Sequence, residues 1–185
     1  MITKLRINKT SQKILTILGG ISLIFIIITS VFLSYTYFFG NKNVKDKAST
    51  SDVRFVLNWC NLGDSRIKKV LHSYESSRSL TGDHLDAYAI EISNISIDEL
   101  IKADSSNFDK WYRGDQLPPI LNDAISLADS WQNEVSWFPT GARIRTSDFY
   151  VYPWTIYYHG LTPNSADIII VEPKKKIVYY ISVSM

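Results

Sequence analysis

The chain has 185 residues, 45% of them hydrophobic and 13% aromatic, with a formal net charge of +2. One cysteine, Cys60, excludes an internal disulfide framework. All eighteen acidic residues but only sixteen of the twenty basic ones follow residue 41, so most of the chain is faintly acidic and lacks the basic surface that nucleic-acid phosphates require.

Residues 1–13 carry Lys4, Arg6, Lys9 and Lys13 and no acid, and from Ile14 to Asn41 no charged residue occurs. As a helix rising about 1.5 Å per residue, Leu18 to Phe39 spans about 33 Å, enough for a bilayer's hydrocarbon core. The hydroxyls of Ser22, Thr29, Ser30 and Ser34 can bond to carbonyls of their own helix. A cleaved signal peptide has an apolar core of about 7–15 residues and a small-residue cleavage site, and this run is longer with no such site after it. Tyr35, Tyr37, Phe38 and Phe39 match an interfacial aromatic belt.

The expected organisation is a cytoplasmic tail over 1–13, a transmembrane helix over 14–39, a polar linker over 40–52 and an extracytoplasmic domain over 53–185. Lys42, Lys45, Lys47 and Arg54 balance the four bases of the tail, so the basic-residue count alone does not orient the span. The acid-free tail favours a cytoplasmic N-terminus, a single pass through a cell inner membrane and a periplasmic domain.

Within the domain, Arg54 to Leu62 reads as a helix. Asp64 to Arg78 reads as a second, capped by Asp64 or Ser65, with Ile67, Val70, Leu71 and Tyr74 at helical spacing. Leu80 to Asp83 breaks that pattern. Ala87 to Ile95 alternates as a strand, with Tyr88, Ile90 and Ile92 on one side. Ser96-Ile-Asp-Glu99 spells a capping box before a short helix. Pro118-Pro119 starts a helix that runs to Gln132 on a broad apolar face.

Phe149 to Tyr158 is a β-branched and aromatic strand, with Pro153 marking an edge or a bulge. Ala166 to Glu172 and Ile177 to Ser184 form a hairpin around Pro173-Lys-Lys-Lys176. The fold class expected is α+β, with helices packed on an antiparallel sheet that ends in a C-terminal hairpin.

Few residues are spaced for catalysis. Ser65-Arg-Ile-Lys68 and Ser105-Ser-Asn107 have the spelling of two elements of penicillin-recognising enzymes, but Pro139-Thr-Gly141 lacks the lysine their third element requires. His72, His84 and His159 are far apart in sequence, and Asp104 to Asp109 lacks a calcium loop's central glycine, so neither a metal nor a cofactor is implied. His84, Asp86 and His159 are the candidate acid–base groups, because His84 and Asp86 share a side in an extended segment.

Two features point to a partner. Residues 83–134 hold eleven acids against Lys102, Lys110 and Arg113, which suits a basic protein or simply solvates helices. Tyr150, Tyr152, Trp154, Ile156 and Tyr158 fall on one side of the aromatic strand, either as core or as an exposed binding face. Asp98, Glu99, Asp104, Tyr150, Tyr152, Trp154 and Tyr158 are therefore the candidate partner-binding residues, with Trp137 and Phe138 rimming the same surface.

The function expected is a non-enzymatic, membrane-anchored protein-binding domain, such as an inhibitor or immunity protein that neutralises a periplasmic toxin or effector. The alternatives are a small anchored hydrolase of cell-wall or peptide substrates and an accessory subunit of a membrane complex.

Overall fold

The computed structural model describes residues 8–35, 37, 42–79, 82–102 and 110–185, in two compact units, Met1–Lys42 and Asn43–Met185. In the first, α1 (Lys9–Tyr35) is an uninterrupted helix with no buried residue, long and apolar enough to cross a membrane. Thr16 and Thr29 each donate a hydroxyl hydrogen bond of 2.9 Å to the carbonyl four residues back, which hides their polarity within the helix. The helix starts before Ile14, where the Thr10 N–H donates to the Asn8 side chain. Lys4, Arg6, Phe38 and Phe39 lie outside the described residues.

The second unit is built on one antiparallel sheet. Its strands are β1 (Val44–Lys45), β2 (Ile67–Glu75), β3 (His84–Ile92), β4 (Tyr112–Arg113), β5 (Tyr150–His159), β6 (Thr162–Glu172) and β7 (Ile177–Ser184). They lie in the order β1-β2-β3-β7-β6-β5-β4, and the closing β6–β7 hairpin turns through Pro173–Lys175 with Lys176 left-handed at φ 57°. Among the described residues, four α-helices join them: α2 (Arg54–Trp59), α3 (Ile97–Lys102), α4 (Pro119–Asp129) and α5 (Gly141–Ile144).

Strand alternation supplies two apolar faces. Leu85, Ala87 and Ala89 of β3, Ala166, Ile168 and Ile170 of β6, and Tyr179, Ile181 and Val183 of β7 pack with α4 and α5. Tyr88, Ile90, Ile92, Ile169, Val171, Val178 and Tyr180 pack on the other face with α2 and with Leu100 of α3. Each fully buried Leu or Ile contributes about 1.5–3 kcal/mol of transfer free energy. The domain is thus α+β in three layers, and its central strands are apolar on both sides because both sides are covered.

The expected helix over Asp64–Arg78 is instead a 3-10 turn (Asp64–Arg66) followed by β2. The reason is bulging. Register shifts between Ile67 and Lys69 and between Val70 and His72 each insert a residue, so residues three apart share a face. Ile67 and Val70 point to the α2 side, and Leu71 and Tyr74 to the α4 side. Two bulges in nine residues reproduce the spacing of a helix stripe.

Residues 43–52, expected as linker, belong to the domain: β1 pairs with β2, and the Asp46 N–H donates to the Ser73 carbonyl at 2.8 Å. Strand polarity also gives the sheet two distinct ends. Asn43, the loop after Glu75, the β5–β6 turn and Ser184 gather at one end; the Pro173–Lys175 turn lies at the other.

Candidate functional site

On the α2 side, pairing register lines up one row of polar residues across five strands. Glu75 lies opposite Asp86, Asp86 opposite Ser182, Ser182 opposite Asp167, and Asp167 opposite Thr155. Two residues along, on the same face, the next row holds Tyr88 and Tyr180, whose rings stack at 5.8 Å and 11°. The Tyr88 hydroxyl donates to Glu75 at 2.9 Å and the Tyr180 hydroxyl to Asp167 at 3.0 Å. Burial first, then the adjacent carboxylates, holds both phenols well above the ordinary tyrosine range, so both stay protonated donors.

Asp86 differs from its neighbours. Arg78 binds one carboxylate oxygen, while Oδ1 is buried with no hydrogen-bond partner. Burial raises its pKa above the ordinary aspartate value, against the lowering pull of Arg78. Glu75, Asp86, Thr155 and Asp167 all keep part of their surface in solvent.

An aromatic wall adjoins this row. Phe55 of α2 meets Tyr88 and Tyr180 edge-on at 6.3 and 5.4 Å. One turn on, Trp59 lies parallel to Trp154 of β5, at 4.8 Å and 3°, and Trp154 keeps 42% of its surface exposed. A half-exposed indole stack beside carboxylates accepts cations by two routes, ring-face attraction and charge-assisted hydrogen bonds.

His84 and Asp86 do share this face, as the alternation suggests. The His84 Nδ1 lies 2.8 Å from the Gly82 carbonyl and Nε2 lies 3.1 Å from the Ser182 hydroxyl. With a carbonyl on Nδ1, that nitrogen is the donor there, and Nε2 shares a hydrogen bond with the Ser182 hydroxyl. His84 therefore ties the loop before β3 to β7. Ser182 sits inside a strand paired on both sides, to Asp86 and to Asp167, so its surroundings offer no free pair of N–H groups to hold an oxyanion. His159 lies on β5, three strand spacings and about 14 Å from β3. The three candidate acid–base residues do not converge.

The candidate partner-binding residues scatter as well. Tyr150 and Tyr152 are buried in the α2-side core, the first of the two alternatives the aromatic strand offered, so neither is available to a partner. A bulge between Pro153 and Thr155 then splits the expected stripe. Trp154 stays on the α2 side, whereas Ile156 joins the α4-side core and the Tyr158 hydroxyl donates to the Ile120 carbonyl of α4 at 3.4 Å. Trp137 stacks on His72 at 5.3 Å and Phe138 is buried on the α4 side, so neither rims a surface shared with Trp154.

Asp98 and Glu99 open α3, beyond Ile92 and thus at the opposite end of the sheet from Asp86. The Asp98 N–H donates to the Ser96 hydroxyl at 3.2 Å, and Glu99 pairs with Arg66 at 2.6 Å. Ser96 is thus the cap of α3, and Glu99 is a brace to Arg66. Asp104 lies outside the described residues. Sequence reasoning passed over Phe55, Trp59, Glu75, Tyr88, Asp167 and Tyr180, whose grouping depends on pairing between strands distant in sequence.

Cys60 is buried, donates to the Val56 carbonyl at 3.3 Å, and has its thiol pushed up to about 12 by burial, which makes it inert packing. Among the described residues no group of three or more His, Cys, Asp or Glu side chains is placed to hold a metal ion. Comparison of the chain with protein families, with curated proteins and with solved structures finds no match. Its own features define it as an α+β domain preceded by a long apolar helix, with an aromatic and acidic face beside α2.

Proposed function

We propose that this protein is a membrane-anchored extracytoplasmic binding domain that captures a basic segment of a protein partner on the face formed by Trp59, Trp154, Glu75, Asp86 and Asp167. The supporting observation is the stacked indole pair, half in solvent, beside a row of carboxylates from three strands. Lysine or arginine side chains of the partner lie over the indole faces and reach the carboxylates, a pairing that speeds encounter as well as holding it. An inhibitor or immunity protein that neutralises a toxin or effector at the membrane's outer side fits this chemistry. Such a role needs a precise surface and a tether, and no turnover.

A photo-crosslinking residue in place of Trp154, in the full-length protein in its own cells, tests the reading. It is expected to trap one dominant basic protein, and the adduct should fall at least about tenfold with Asp167→Lys, which reverses a rim charge. An adduct that survives Asp167→Lys undiminished, or a spread of unrelated adducts, contradicts the proposal.

A further inference from the structure

A second surface lies at the end of the sheet where the chain enters from its apolar segment. From Phe149 to Ala166 the sequence contains no Asp, Glu, Lys or Arg. The β5–β6 turn within it exposes Leu161 at 95%, Tyr157 at 62% and Tyr158 at 38%, and Ile120 at the start of α4 adds 48% beside Tyr158. Gly160 turns the chain at φ 66° and holds Leu161 out at the tip. A large aliphatic side chain at nearly full exposure, flanked by tyrosines and the exposed His159, with Asp123 of α4 near Tyr158, is unusual on a surface that meets only water.

Asn43 supplies the reason to name an occupant. It enters β1 at the same sheet end as this turn, and the seven residues from 36 to 42 reach at most about 25 Å. A bilayer that holds α1 is therefore present near this end at high effective concentration. Tyrosines favour the headgroup level and leucine the acyl boundary, and no Asp, Glu, Lys or Arg of the turn has to be dehydrated on the way.

We infer that the β5–β6 turn is a second membrane contact, with Leu161 dipping into the lipid surface and Tyr157 and Tyr158 lying at the interface. This rests on α1 being a membrane anchor and adds to it a site for lipid. Three side chains bind a bilayer weakly by themselves, and the tether makes the contact persistent, in the manner of two-signal attachment. The contact would hold the domain's height above the lipid and leave the α2-side face to a partner.

The test uses full-length protein in phosphatidylcholine vesicles, with an environment-sensitive fluorophore on Leu161→Cys, Lys174→Cys or Leu23→Cys, with and without brominated acyl chains. Buried Cys60 stays unlabelled, and Leu161 and Lys174 are exposed, so their replacement leaves the core intact. Quenching at Leu161→Cys should exceed that at Lys174→Cys, at the other sheet end, at least about twofold. Equal quenching at these two positions with Leu23→Cys quenched overturns the lipid contact and leaves the anchor standing. An unquenched Leu23→Cys overturns the anchor reading and this inference with it. Energy transfer between two copies labelled at Leu161→Cys without lipid quenching overturns it in favour of a second copy on the same patch.

Discussion

Single residues carry the tension in this domain, and Asp86 carries most of it. Its carboxylate is mostly buried, with Arg78 on one oxygen and nothing on the other. Because burial raises its pKa above the unfolded value, the folded state binds the proton more tightly, and Asp86 costs stability at neutral pH that is regained as pH falls toward the ordinary aspartate range. Asp86→Asn is therefore expected to raise Tm at pH 7 and to lose that advantage by about pH 4, read from thermal melts at both pH values. A constant offset at both would contradict the titration. Gly114 shows the opposite kind of constraint. A Cβ there would lie 1.9 Å from the Ile144 carbonyl oxygen and 2.4 Å from that of Thr146, so backbone has to move. Gly114→Ala should cost about 1–3 kcal/mol in denaturant unfolding, more than an average surface change.

At the scale of elements, the chain is legible wherever one period rules. The Ser96 cap before α3, the proline start of α4, the alternation of β3 and the β6–β7 hairpin all appear in the fold, although Glu99 turns to Arg66 instead of closing a capping box. Bulges defeat the same reasoning. In β2 they turn a strand's period into a helix's, and in β5 one inserted residue moves Ile156 and Tyr158 to the opposite face from Trp154. The candidate site was only partly visible for a related reason. His84-Leu-Asp86 is a local pattern, whereas Glu75, Asp167, Tyr88 and Tyr180 come together only through the strand order β2-β3-β7-β6. The Trp59–Trp154 stack joins residues 95 positions apart. Trp59→Ala should leave the fold intact at a cost of about 1 kcal/mol, with the fluorescence of Trp154 shifted to the red; an unchanged spectrum would mean the indoles are not stacked in solution.

For the whole molecule, the long apolar helix and the globular domain imply a division of labour. The helix has no buried residue and suits lipid; the domain has a core on each face of its sheet and two distinct surfaces outside it. One surface, beside α2, has the indoles and carboxylates that a basic partner needs. The other, at the β5–β6 turn, has the tyrosines and leucine that suit a bilayer. The partner reading depends on the domain lying on the non-cytosolic side. The most direct measurement is labelling of full-length Lys174→Cys by a membrane-impermeant maleimide in spheroplasts, with the unmodified protein as control. Lys174 is exposed and Cys60 buried, so Lys174→Cys is expected to label before lysis and the control to stay unlabelled. Labelling of Lys174→Cys only after lysis would place the domain in the cytosol and contradict the account.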